Sequence, residues 1–272
     1  MPLNDEHSTE RSGVIERVAA VLAAFSVEMP RLSLGEAAER AQLSPSTTRR
    51  LLVQLTEAGL TRQDPETRAY SLGLKFVRLG AIALETADIV RTARSTMASL
   101  TEKFMEATFL GQLEPEGVVY LSVLQPPVAV RVSTRAGEVR PAHSTSIGKV
   151  LLAALSDTEM ERWFASHELT PLTPASLATR QDLLANLEMV RELGYAQNYR
   201  ESSSEFASVA APVRDSEHRV IAALAISGPA YRIPRERIPE LGAAVIEAAN
   251  QITVEYGGNA PLRTPISQPR NL

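Results

Sequence analysis

A chain of 272 residues with 44% hydrophobic side chains is long for one small domain and comfortable for two, and it carries enough apolar material to build real cores. The formal net charge of -4 removes the overall basic excess common among nucleic-acid binders, so any affinity for DNA must come from local charge. Cysteine is absent, which excludes disulfides, thiolate nucleophiles and thiolate metal sites.

Met1 to Ser12 is polar and reads as a mobile tail without the apolar core of a signal peptide. Val14, Ile15, Val18, Val21, Leu22 and Phe25 then repeat at helical spacing and predict a first helix. A second opens at Ser33-Leu34-Gly35-Glu36, where Ser33 can accept from an early N–H while Glu36 reaches back, a capping box. A third starts at Ser44-Pro45, a hydroxyl cap followed by proline at the first helical position, where the missing N–H costs nothing. Leu51, Leu52 and Leu55 form its buried stripe and Gly59 ends it. Leu60 to Gln63, the turn Asp64-Pro65-Glu66-Thr67 and Arg68 to Leu72 read as a hairpin. Helices split by a tight turn and followed by a hairpin spell a winged helix-turn-helix over residues 13–73.

Hydroxyl and guanidinium groups are what reach phosphates and base edges in a major groove. The candidate DNA contacts are therefore Ser44, Ser46, Thr47, Thr48, Arg49 and Arg50 at the start of the third helix, with Arg62 and Arg68 in the wing. One recognition helix reads too few base pairs for a unique site, so a homodimer or homotetramer on a pseudo-palindromic double-stranded operator is expected.

Leu74 to Leu84 is helical again and reads as a linker over residues 74–85, its apolar face suited to contact a second copy. A long helix follows over Thr86 to Glu106. The period then switches: Thr108 to Leu113, Val118 to Leu124 and Val128 to Thr134 are β-rich runs bounded by proline and glycine, a meander of two antiparallel hairpins. Helices are expected over Thr145 to Leu155, Asp157 to Ala165 and Arg180 to Leu193, the last stopped by Gly194. Strands return at Tyr195 to Tyr199, Phe206 to Arg214 and Arg219 to Ser227, and an amphipathic helix over Pro234 to Val254 closes the second domain, residues 86–256. Residues 257–272, with glycine, proline and asparagine, read as a flexible tail. Apolar runs such as Val150 to Leu155 are too short to cross a bilayer, so a cytoplasmic protein with no membrane partner is expected.

From about Ser12 to Tyr256 the chain resembles the IclR family of bacterial transcriptional regulators. The resemblance rests on Leu43-Ser44-Pro45-Ser46-Thr47-Thr48-Arg49-Arg50-Leu51-Leu52, on the wing ending Tyr70-Ser71-Leu72-Gly73, and on the run from Pro141 through His143 and Lys149 to Ala153. Gly194-Tyr195-Ala196 with Glu201, Ala210-Ala211-Pro212-Val213 and Ile226-Ser227-Gly228-Pro229 complete it in order. It implies an α/β (α+β) protein, a winged helix-turn-helix joined by a linker helix to a GAF-like effector domain with a largely antiparallel sheet. It also implies a dimer or tetramer answering to a small metabolite, often a carboxylic acid, aliphatic or aromatic.

By that resemblance the effector pocket is lined by Ser146, Ile147, Asn198, Ser208 and Ser227, with Ser144 and Thr145 beside them. A helix opening at Thr145 offers unpaired N–H groups and a positive dipole end, a site for a carboxylate that needs no basic side chain. The chain has Asn198 where many members carry Asp, Glu205 where many carry Gly, and Ser208 where Cys is frequent, and these departures bear on which ligand is bound. No nucleophile elbow, phosphate-cradling loop or zinc pair is present, and His7, His143, His167 and His218 lack ligand spacing, so no catalytic residue, metal or cofactor is expected. Two alternatives stand beside the sensor: an enzyme fused to a DNA-binding domain, and a C-terminal domain that only oligomerises.

Overall fold

The computed structural model describes residues 13–86 and 88–258, apart from the side chains of residues 84–86. The tails expected over residues 1–12 and 257–272 lie outside these, save Gly257 and Gly258. Contacts divide the chain into two compact units, Met1–Leu84 and Glu85–Leu272.

The first unit runs α1 (Val14–Ala23), β1 (Arg31–Leu32), α2 (Leu34–Arg40), α3 (Pro45–Glu57), β2 (Thr61–Gln63) and β3 (Tyr70–Leu72). Both helix starts form as the sequence predicts. Glu36 N–H donates to Ser33 Oγ at 3.3 Å while Ser33 N–H donates to Glu36 Oε2 at 2.7 Å, and Thr47 N–H donates to Ser44 Oγ at 3.3 Å ahead of Pro45. Such a cap is worth about 1 kcal/mol. The wing turn is held by Asp64 Oδ1, which accepts from the N–H groups of Glu66 (3.0 Å) and Thr67 (2.9 Å). Those donors favour the ionised form and keep the Asp64 carboxyl below its ordinary range. Val21, Phe25, Leu32, Leu51, Leu52, Leu55 and Tyr70 form the core. Gly73 is required behind the wing, because a Cβ there would lie 2.3 Å from the Gly59 carbonyl oxygen.

The wing holds one strand more than the expected hairpin: β1 pairs with β3, Leu32 opposite Tyr70, in the order β1-β3-β2. Two residues show no alternation, so nothing in the sequence announces that strand. The helix α4 (Lys75–Thr86) follows, and Leu74 just ahead of it and Val77, Leu79 and Ile82 along it are exposed.

The second unit comprises α5 (Asp88–Phe104), β4 (Ala107–Glu114), β5 (Gly117–Leu124), β6 (Val139–Arg140), α6 (Ser146–Ala153), α7 (Asp157–Ser166), α8 (Arg180–Leu193), β7 (Ala196–Tyr199), β8 (Phe206–Arg214), β9 (Val220–Pro229) and α9 (Ile238–Glu255). All neighbouring strands are antiparallel, in the order β6-β5-β4-β9-β8-β7. Alternation along the strands separates two cores. Val209, Leu224 and Ile226 pack with Met97 and Leu100 of α5 and Leu241 and Val245 of α9, while Phe109, Ala210 and Ala225 pack with Ile147 and Leu152 of α6, Trp163 of α7 and Leu187 of α8. Gly194 stops α8 with φ 76°, as expected of a left-handed cap. A register shift between Val213 and Arg214 ends the regular pairing of β8 with β9.

The strand expected at Val128 to Thr134 does not form, so the meander has one hairpin and not two. Pro126 and Pro127 cannot donate to a ladder. The carbonyls of the run go instead to side chains: Val128 to Arg131 Nη1 (2.9 Å), Val130 to Arg232 Nη2 (3.1 Å) and Val132 to Gln125 Nε2 (2.8 Å). The partner of β5 is the short β6, with Val118 opposite Arg140.

Candidate functional site: a recognition helix and a ligand cavity

The first turn of α3 is a hydroxyl cluster. Ser44 Oγ lies 3.1 Å from Ser46 Oγ and 2.9 Å from Thr47 Oγ1. Ser44, Ser46, Arg49 and Arg50 are exposed and Thr47 is half-buried. Thr48 is a correction: it is fully buried, with its hydroxyl donating to the Ser44 carbonyl at 3.1 Å. Helical geometry turns it onto the core between its exposed neighbours, so it cannot reach a groove. Arg62 and Arg68 are exposed on the wing, Arg68 with φ 60°. None of Arg49, Arg50, Arg62 and Arg68 has an ion-pair partner among the described residues. Four unpaired guanidinium groups on one small unit supply the local positive charge that the overall balance does not.

In the second unit a cavity of about 50 Å³ opens at the start of α6, lined by Thr145, Ser146, Ile147, Asn198, Ser208 and Ser227 and by Phe109, Tyr120, Thr134, Arg140 and Phe206. Thr145 caps α6, its Oγ1 accepting from Gly148 N–H at 3.0 Å and its carbonyl from Lys149 N–H at 3.0 Å. Ser146 and Ile147 keep N–H groups with no acceptor among the described residues. Ser146 Oγ meets Ser208 Oγ at 2.8 Å, and Ser227 Oγ donates to the Ala207 carbonyl at 3.2 Å.

Three expectations change here. Ser144 is fully buried and does not line the cavity: its hydroxyl donates to the Pro141 carbonyl (3.4 Å) and its own carbonyl accepts from Asn198 Nδ2 (2.9 Å). It sits in a single 3-10 turn, Ala142–Ser144, which aims it inward. Asn198 lines the cavity, but its amide also spans Ser144, Ser202 Oγ (2.8 Å) and Glu201 N–H (2.9 Å), a bracket within the protein. The cavity also has a basic side chain after all, because the pairing of β6 with β5 carries Arg140 to its lining. Only a charged residue immediately ahead of Pro141 could have signalled this from the sequence.

Tyr120 was likewise missed, since it reads as an ordinary strand aromatic. Burial pushes its phenol up to about 12, so it stays a neutral donor, and its hydroxyl has no hydrogen-bond partner among the described residues. Behind the cavity Lys149 Nζ reaches both oxygens of Glu201 at 2.7 Å. Burial pushes Glu201 up and Lys149 down, and their mutual attraction opposes both shifts. His143, buried with Nε2 3.1 Å from the Thr170 carbonyl, is held below its ordinary value by burial and fits a structural histidine. No cluster able to hold a metal ion is found among the described residues.

A winged helix-turn-helix with unpaired arginines and a second domain enclosing a polar cavity define the class of one-chain transcriptional regulators with an effector domain. Residues 81–254 match the family described as bacterial transcriptional regulator IclR C-terminal, and residues 14–65 match the IclR helix-turn-helix domain. The chain is 33% identical over 247 residues to the HTH-type transcriptional regulator KdgR of Escherichia coli K12, covering 89% of this chain and 94% of that protein. Among solved structures, an IclR transcriptional regulator from Silicibacter sp. TM1040 superposes with a TM-score of 0.82 at 26% identity, covering 93% of this chain and 100% of the other. An IclR homologue from Microbacterium hydrocarbonoxydans complexed with 4-hydroxybenzoate gives 0.74 at 25% identity, covering 90% and 99%. The protein belongs to the IclR family: it is a DNA-binding transcriptional regulator, and the family's members are regulators, not enzymes. No helix among the described residues is long and apolar enough to cross a membrane.

Proposed function

We propose that operator binding by this regulator is switched by a small organic acid held in the cavity at the start of α6. The observation that carries the reading is the pair of unused N–H groups at Ser146 and Ile147, which face a cavity whose lining includes Arg140 and Tyr120. A carboxylate accepts from such N–H groups, beside Tyr120 and Arg140, the latter in a partly exposed ion pair with Glu138 at 3.4 Å. Thr145, Ser208 and Ser227 then orient the ligand by neutral hydrogen bonds. The M. hydrocarbonoxydans homologue holds an aromatic acid. For this chain short-chain acids rank ahead of aromatic ones, because about 50 Å³ is well under the roughly 150 Å³ in which benzene is accommodated.

On the DNA side, Ser46, Thr47, Arg49 and Arg50 read or grip a half-site while Arg62 and Arg68 grip phosphates, and a homodimer or homotetramer presents two such surfaces to a pseudo-palindromic operator. The apolar face of α4, exposed at Val77, Leu79 and Ile82, supports a contact with a second copy through the linker. A cytoplasmic location follows from this role.

The test is a thermal-shift screen of the full chain against short hydroxy and keto acids, benzoate and 4-hydroxybenzoate, with operator binding measured alongside. An acid at a hundred times its dissociation constant stabilises the protein by about 2.7 kcal/mol. That shift is expected for short acids and is lost in Ser146→Trp, which fills the cavity. Stabilisation by neutral sugars or amines but not by acids, or an undiminished response in Ser146→Trp, sinks the reading.

A further inference from the structure

The strand β8 places a polar residue at each end of α6. Ser208 lines the cavity at the helix start; Arg214 lies at the far end of the strand, where Leu113, Leu151, Leu155, Val220 and Ile221 help wall a second cleft of about 660 Å³. The register shift there leaves Ile221 of β9 without a partner on β8, while Arg214 pairs with Val220. Arg214 is only 5% exposed. Its main-chain N–H donates to Thr253 Oγ1 at 3.0 Å and its Nη1 to the His218 carbonyl at 3.1 Å.

No carboxylate among the described residues forms an ion pair with that guanidinium. The acids nearby are engaged elsewhere: Asp215 and Glu217 both pair with Arg219, at 2.7 and 3.0 Å, and Glu159 caps α7 through Ser156 N–H at 2.8 Å. Glu114 is exposed. Burial alone displaces the Arg214 equilibrium, downward, with no acid opposing it. A buried cation lacking a counter-charge is costly, and this one keeps donors in a planar fork that matches a carboxylate.

We propose that this cleft is a second ligand site, separate from the cavity at the start of α6, and that it takes a small aliphatic monocarboxylate whose head group pairs with Arg214. The leucine, valine and isoleucine walls fit a branched apolar body. Arg219, also in the lining, is already paired with Asp215 and Glu217, so Glu114 and Glu159 leave negative charge in excess around Arg214 and a single negative charge is favoured over phosphate.

The experiment is titration calorimetry on the full chain with isovalerate, and with isoamyl alcohol and inorganic phosphate as comparators. Isovalerate is expected to bind saturably and more tightly than either comparator. Arg214→Gln should weaken it by at least roughly tenfold, about the weight of one charge-assisted hydrogen bond. Leu155→Glu, which sets a like charge in the apolar part of the cleft and leaves Arg214 in place, should weaken it at least as much and carries the test if Arg214→Gln does not fold. Any binding of isovalerate in the cavity at the start of α6 shows as a separate event that neither substitution alters. No saturable binding of isovalerate, equal binding of the alcohol, tighter binding of phosphate, or unaltered affinity in a folded Arg214→Gln or in Leu155→Glu would each overturn the proposal.

Discussion

Arg49 and Arg50 on α3 stand exposed without ion-pair partners among the described residues, whereas Lys149 on α6 is fully buried with both Glu201 oxygens at 2.7 Å. Both helices begin with a hydroxyl N-cap and carry basic residues within their first two turns. They differ in what meets the charge. On α3 the guanidinium groups are left to water, so they contribute little to folding and stay open to an arriving anion. On α6 the ammonium is neutralised inside the protein, so it contributes to the shape of the ligand domain and nothing to outside recognition. The same residue class is therefore accessible to an outside partner in one unit and part of the architecture in the other, and burial separates the two.

The largest effect should come from breaking the inner pair. Lys149→Met leaves Glu201 buried and uncompensated, and should cost about 3–5 kcal/mol of stability in denaturant unfolding. Adding Glu201→Leu should restore most of it, because a buried ion pair replaced by apolar residues is often neutral. A cost below about 1 kcal/mol for the single change would remove the contrast with α3.

Next in size is Arg49→Ala. It should weaken operator binding by about 1–3 kcal/mol, or lower the salt slope by about one if the contact is to phosphate. The unfolding midpoint should stay within about 0.5 kcal/mol of wild type, since the side chain is exposed and unpaired. A folding defect without a change in DNA affinity would place Arg49 with Lys149.

The smallest effect sharpens the comparison by geometry. Arg91 and Asp88 approach as closely as the inner pair, at 2.6 Å, yet their side chains are 77% and 65% exposed. Asp88→Ala should cost less than about 0.5 kcal/mol by thermal unfolding, because solvent screens the pair. A loss comparable with that of Lys149→Met would show that distance, not burial, sets the value of these contacts.

Much of this was legible in the residues. The caps at Ser33 and Ser44, the wing turn at Asp64 and the stop at Gly194 are local chemistry, set by neighbours within a few positions, and local chemistry survives the step from sequence to fold. The strand expected at Val128 to Thr134 failed because composition alone cannot say whether a neighbouring edge is available. Thr48 failed because a helix carries core and surface residues in alternation, and a threonine suits either. Ser208 and Ser227 were reached through the resemblance; Arg140 and Tyr120 come to the cavity only through strand pairings distant in sequence, which no window of residues displays.

Gly148 carries one more consequence. A Cβ there would fall 2.1 Å from the Ala142 carbonyl oxygen and 2.4 Å from its Cα, so the turn before α6 and the first turn of the helix touch main chain to main chain. Stiffness follows from that contact, because no rotamer lies between the two segments to absorb a push. Asn198 ties the same turn to β7 through the Ser144 carbonyl, and Lys149 ties the helix to Glu201 just beyond that strand. The start of α6 and the end of β7 are thus braced as one frame, with little slack around Ser146.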